Sequence, residues 1–219
     1  MKLNKYIDHT LLKANATVSE IETLCKEAIT HDFFSVCVNS GYVSYAKEFL
    51  KGTNVNVCSV VGFPLGAMST RSKVFETEQA IADGADEVDM VINVGWLQSG
   101  EVDKVREEIV LIKKACGNRV LKVILETCYL TDDEKRLACK LSVEAGADFV
   151  KTSTGFGTGG ATLSDVQLMK EAVDGKAKIK ASGGVRDFKT AMQYVDLGVQ
   201  RIGTSNGIAI VSGGTGTGY

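Results

Sequence analysis

Proline is nearly missing from this 219-residue chain: Pro64 is the only one. No low-complexity stretch precedes the last eight residues, so nothing marks a linker and the chain reads as one domain. Histidine is scarce too. His9 and His31 are the only two, which leaves a zinc site short of its usual ligands. The six cysteines include no C-x-x-C pair, and no secretion signal accompanies them. They read as small reduced hydrophobes rather than a disulfide scaffold. No run approaches the ~20 apolar residues of a membrane helix. The first residues are broken by charges and lack the apolar core of a signal peptide. A cytoplasmic location is therefore expected. The formal charge of -2 argues against nucleic acid or a membrane surface as the main partner.

What is present is an alternation of β-branched runs with amphipathic segments. Strands are expected near Tyr6–Leu11, Phe33–Val38, Val55–Val61, Glu87–Asn93, Val120–Glu126, Phe149–Thr152, Lys178–Ala181 and Gln200–Gly203. Helices are expected between them. Thr17-x-x-Glu20 and Thr131-x-x-Glu134 have the form of capping boxes. Gly84 and Gly146 stand where a helix end turns straight into a strand. Thirty-odd residues per β/α unit is too long for hairpins, so parallel strands with right-handed crossovers are implied. Eight units predict an α/β fold, a single (β/α)8 barrel over residues 1–211, with a flexible tail at 212–219. A doubly wound open sheet is the alternative.

Side chains alternate between strand faces. With Val88, Met90, Leu121, Val123, Val150 and Ile179 facing the helices, Glu87, Asp89, Lys122, Glu126, Lys151 and Lys180 point inward. Lys178 shares that parity but sits at the N-terminal end of its strand, as a solvated or paired charge. A purely structural reading pairs these lysines with Asp89, Glu87 and Glu126 as a buried ion cluster. Lys151 and Lys180, however, sit at the C-terminal ends of adjacent strands, where barrel enzymes hold their chemistry. Adjacent strands lie ~4.8 Å apart. Two ammonium groups ~5–6 Å apart at an effective dielectric of ~20 repel by about 3 kcal/mol. That repulsion, with partial burial, brings one amine of the pair towards the range of a catalytic nucleophile. A neutral lysine can attack a carbonyl to form a Schiff base. Asp89, through a water, can move the protons that step requires.

Three Gly/Ser/Thr loops follow the last three strands: Ser153-Thr154-Gly155, Ser182-Gly183-Gly184 and Gly203-Thr204-Ser205-Asn206-Gly207. Turn chemistry explains any one of them. Three at one barrel end, beside two interior lysines, point to a phosphorylated substrate. Arg186 can add charge there or serve the surface.

Val-Lys-Thr-Ser-Thr-Gly at 150–155, Lys-Ala-Ser-Gly-Gly-Val-Arg at 180–186, Glu-Val-Asp-Met-Val-Ile-Asn at 87–93 and Ile-Asp-His-Thr-Leu-Leu at 7–12 resemble the deoxyribose-phosphate aldolases. The likeness runs from Tyr6 to about Ala209. It implies a metal-free, cofactor-free class I aldolase that interconverts 2-deoxyribose 5-phosphate with acetaldehyde and glyceraldehyde 3-phosphate. By this resemblance Lys151 forms the Schiff base, Lys180 is its neighbouring cation and Asp89 is the acid/base carboxylate. Thr154, Gly155, Gly183, Gly184 and Ser205 fall in the phosphate region. Asp8 and Lys122 line the site. Tyr219 either reaches in for proton transfer or ends the tail without a role. Phe156 and Asn206 depart from the lysine and serine of some members, a difference expected to bear on phosphate affinity. The resemblance also implies a homodimer. Two alternatives stay open: an aldolase of a related sugar phosphate, and a phosphometabolite-binding barrel without turnover.

Overall fold

The computed structural model describes residues 3–217. Eight strands alternate with helices along the chain. They are β1 (Ile7–Leu11), β2 (Ser35–Val38), β3 (Asn56–Val61), β4 (Glu87–Val91), β5 (Val120–Ile124), β6 (Phe149–Lys151), β7 (Lys178–Ser182) and β8 (Arg201–Thr204). All neighbouring pairs are parallel, and β8 pairs with β1, so the sheet closes into a barrel in sequence order. Closure leaves no edge strand exposed. The predicted (β/α)8 architecture is the one observed.

The long crossover helices are α1 (Val18–Thr30), α2 (Val43–Phe49), α3 (Thr70–Ala82), then, past a short α4 (Val94–Gln98), α5 (Val102–Cys116), α6 (Asp132–Glu144), α7 (Leu163–Val173) and α8 (Phe188–Asp196). Both expected capping boxes are made: Thr17 and Glu20 open α1, and Thr131 and Glu134 open α6. Gly84 and Gly146 take the left-handed conformation after α3 and α6, at φ 106° and 80°. No helix among the described residues is long and apolar enough to cross a membrane.

Two helices were not foreseen: α4 and a last one, α9 (Gly207–Val211), of five residues each. Neither is long enough to show a helical period. Asn93, expected on the fourth strand, instead caps α4, its side chain accepting from the Trp96 N–H at 3.1 Å.

The main core lies between the barrel wall and the helices. Val88, Met90, Leu121, Val123, Val150 and Ile179 all enter it, as strand alternation predicts. The opposite faces of the same strands fill the barrel with charge. On α3 three apolar residues, Val74, Ala80 and Ile81, are available for burial. Ala80 is fully buried, the other two only partly, and Lys73 and Thr77 share the buried face.

The segment from Ser212, expected to be a free tail, is tied down as far as it is described. Gly214 donates to the Ala209 carbonyl and Gly216 to the Arg186 carbonyl, each at 2.8 Å. Thr215 bridges antiparallel to Asp187. Backbone hydrogen bonds hold it, and glycine-rich composition does not disclose them.

Candidate active site

Alternation on eight strands delivers a buried ion cluster to the barrel interior. Asp8 comes from β1, Glu87 and Asp89 from β4, and Lys122, Lys151, Lys180 and Arg201 from β5 to β8. Register places Asp89 opposite Lys122 and Lys151 opposite Lys180. Asp89 is the hub and is fully buried. Its Oδ2 accepts from Lys151 Nζ and from Lys180 Nζ, each at 2.8 Å. The two ammonium nitrogens thus meet at one oxygen, less than two hydrogen-bond lengths apart. Its Oδ1 accepts from Lys122 Nζ at 2.8 Å and from the Cys58 thiol at 3.1 Å.

The remaining pairings separate Lys151 from the others. Lys180 also binds Asp8, and Lys122 also pairs with Glu87. Arg201 donates to Glu87 at 2.9 Å and lies 3.1 Å from an Asp8 oxygen. Lys151 has Asp89 alone, at an oxygen shared with Lys180. The cluster holds four cations against three carboxylates, so removal of one proton leaves it neutral. Lys151 has the fewest carboxylate contacts of the four, so covalent use of its nitrogen sacrifices least pairing.

Electrostatics favours the charged forms of Asp8, Asp89, Lys122 and Lys180. Burial opposes the Asp89 charge, but Lys122, Lys151 and Lys180 outweigh it and hold the carboxyl well below the ordinary range. Asp8 is likewise buried, and Lys180, Lys122 and Arg201 bring it below the ordinary value. Burial works against the Lys180 ammonium too. Asp8 and Asp89 overcome it and lift its pKa above the ordinary lysine range. Lys122 is raised well above that range, where Asp89 and Glu87 overcome burial.

Above the cluster lies a cavity of about 240 Å³ at the C-terminal ends of the strands. Lys151 lines it; Lys122, Lys180 and Asp89 do not. The expected phosphate residues Thr154, Gly155, Gly183, Gly184 and Ser205 all line it as well. Gly183 and Gly184 have φ of 85° and 79°, and a Cβ on Gly183 would come within 2.9 Å of the Gly160 backbone. Only glycine permits that turn and that approach. Arg186, left open by the sequence, also borders the cavity, with Thr10 and Ser182.

Several expectations change in detail. Thr154 reaches the cavity, but both its N–H and its hydroxyl donate to Glu126, the N–H at 3.1 Å. Strand alternation places Glu126 inward, able to neutralise a lysine. It lies beyond β5 with left-handed backbone, φ 55° and ψ 62°, and it bonds Thr154 rather than an ammonium. Burial pushes its carboxyl up, against the Thr154 hydrogen bonds. Phe156 lies outside the phosphate cavity: it stands edge-on to Phe63 at 5.3 Å, beside a smaller apolar pocket with Leu65 and Tyr129. Asn206 is buried beneath Gly216, where no side chain fits. Asp8 and Lys122 belong to the cluster. Tyr219 lies outside the described residues. Lys178 is exposed at the barrel bottom, as expected.

Two participants escaped the sequence reading. Arg201 was detectable, because Ile202 faces the helices and its neighbour must face inward. Cys58 was read as an inert hydrophobe, and nothing local signals that its thiol meets Asp89. All six cysteines are free thiols. Cys37, Cys58 and Asp89 bring potential metal-ligand atoms within 4.8 Å of one another, the one such group among the described residues. Asp89 already accepts from three ammonium groups there, which makes it a poor ligand for a dication.

A family model described as DeoC/LacD family aldolase matches residues 2–213. The chain belongs to this aldolase family. A deoxyribose-phosphate aldolase of Brevibacillus brevis is 58% identical over 221 residues, spanning all of both chains. Among solved structures, QR15, an aldolase, is 43% identical at a TM-score of 0.92, covering 96% of this chain and 94% of its own. The deoxyribose phosphate aldolase of Aeropyrum pernix, described as tetrameric, is 32% identical at a TM-score of 0.89, covering 96% and 89%. Membership makes the chain a carbon–carbon lyase, and its interior lysines and cavity lie at the barrel end where such chemistry is held.

Proposed function

We propose that this chain is a class I 2-deoxy-D-ribose 5-phosphate aldolase in which Lys151 forms the Schiff base. One observation carries the assignment. Of the three lysines bonded to Asp89, Lys151 alone reaches the cavity. In the cleavage direction its neutral amine attacks C1 of the open-chain sugar. The carbinolamine loses water to an iminium. A water held at Asp89 takes the proton of the C3 hydroxyl as the C2–C3 bond breaks, and its electron pair flows into the enamine. Glyceraldehyde 3-phosphate leaves. Proton return to C2 and hydrolysis of the iminium release acetaldehyde and free Lys151. Lys180 remains the fixed cation beside the reacting nitrogen, a role its two carboxylate partners support. Gly155, Gly183, Gly184 and Ser205 form the cradle for the 5-phosphate, with Arg186 at its rim. No metal or cofactor takes part in this scheme.

Borohydride added with acetaldehyde is expected to leave a reduced two-carbon adduct on Lys151, absent in Lys151→Ala. An unmodified wild-type chain would remove the mechanism. Comparing donor aldehydes and ketones distinguishes this substrate from related sugar phosphates. A cytoplasmic homodimer completes the proposal, and light scattering after gel filtration tests the assembly.

A further inference from the structure

We propose that Glu126 is the positioning residue for phosphate recognition: it fixes the loop after β6 through Thr154 and so sets the cradle without touching substrate. The inference rests on the aldolase reading above. Four observations carry it. First, Glu126 is the one left-handed residue among the described non-glycines that is neither glycine-like nor Asp; the other two are Asp32 and Asp174. Aspartate tolerates that conformation readily, whereas glutamate holds it only when its surroundings fix it. Second, those surroundings are visible. The Leu125 N–H donates to the Lys151 carbonyl at 2.9 Å and the Thr127 N–H to the Thr152 carbonyl at 3.0 Å. Glu126 is thereby pinned on both sides to the end of β6 and the residue that follows it, with its side chain turned to the loop.

Third, the side chain is 3% exposed, and its two oxygens take both donors of Thr154. The Thr154 hydroxyl oxygen in turn accepts from the Phe156 N–H at 3.0 Å, so the restraint spans Gly155, a cavity-lining residue at φ 87°. Fourth, the loop then folds directly over Glu126. A Cβ on Gly157 would stand 2.9 Å from Cys128 Sγ and 3.2 Å from the Glu126 carboxyl carbon. A carboxylate used in this way is lost to phosphate binding, as it must be, since its charge repels the ligand. Its work is to occupy the donors of Thr154 and hold the Gly155 turn in shape for an anion.

The test separates phosphate handling from amine chemistry. E126A is expected to lower kcat/KM for 2-deoxyribose 5-phosphate roughly tenfold to a hundredfold, chiefly through KM. Cleavage of unphosphorylated 2-deoxyribose and borohydride trapping of acetaldehyde should change by less than about twofold. E126Q keeps an oxygen acceptor for the Thr154 N–H and should restore KM to within roughly threefold of wild type. Equal loss on both sugars, no loss on either, or an E126Q as poor as E126A would overturn the inference. Should E126A not fold, E126D replaces it, its carboxylate withdrawn by one methylene and the same split expected. Wild type inactive on the phosphorylated sugar would instead remove the aldolase substrate assignment; wild-type cleavage with an unsplit variant defect removes only the role of Glu126.

Discussion

At the scale of single residues, the decisive fact is unequal pairing around one carboxylate. Lys122 and Lys180 each contact a second acid, while Lys151 shares its only partner. This arrangement has a pH signature. Asp8 and Asp89 have folded pKa values below the ordinary carboxylate range. Their contribution is complete above the unfolded carboxylate value and is lost as pH falls through the depressed folded values. Lys122 and Lys180 have raised values, so their contribution is complete below the unfolded lysine value and is lost as pH rises through the raised ones. Through Asp8, Asp89, Lys122 and Lys180, stability measured by urea unfolding should therefore change little from roughly pH 5 to pH 9. It should fall steeply outside that window on both sides. A midpoint that held level into acid and strong alkali would contradict the pairing.

At the scale of elements, one ion pair joins two helices to the catalytic end of β4. Lys73 on α3 donates to Glu108 on α5 at 2.6 Å and to the Val91 carbonyl at 2.8 Å, with neither side chain more than 1% exposed. Thr70 donates to the second Glu108 oxygen. Burial lowers the Lys73 pKa despite Glu108, the expected mark of a desolvated ammonium held by one acid. Lys73→Met leaves Glu108 buried with its charge uncompensated, and should destabilise the protein by about 3–5 kcal/mol. Pairing it with Glu108→Leu should recover most of that loss, because a well-packed apolar pair is often as stable as the buried ions. Urea midpoints of the two variants decide between them. The sequence could not show this pair. The α3 residues repeat at helical spacing, yet the partner that makes Lys73 buriable is 35 positions away.

At the scale of the whole molecule, the last described residues finish the rim of the barrel. Gly216 holds the loop that carries Arg186, and Thr215 bridges to Asp187 at the cap of α8. A chain ending at Ser212 should keep its far-ultraviolet circular dichroism and lose a few degrees in Tm, since ~1 kcal/mol moves Tm by ~2–4 °C at this size. Its KM for the phosphorylated sugar should rise with the loss of the Arg186 anchor. A second chain ending at Thr217 keeps those bonds and lacks only the final two residues. It should show normal KM, and a fall in its kcat would point to Tyr219.

The barrel, its strand order and the inward-facing Asp89, Lys122, Lys151 and Lys180 were legible because each depends on local pattern. Alternation along a strand and capping at a helix end are set by neighbours a few positions apart. Closure decided the rest. It brought Lys180 to Asp8 across 172 positions of chain and put two ammonium groups on one oxygen of Asp89. It also drew Cys58 and Arg201 into the same cluster and turned Glu126 from the lysines to Thr154. Periodicity fixes which wall a side chain faces, whereas its partner and its depth depend on how distant strands come into register.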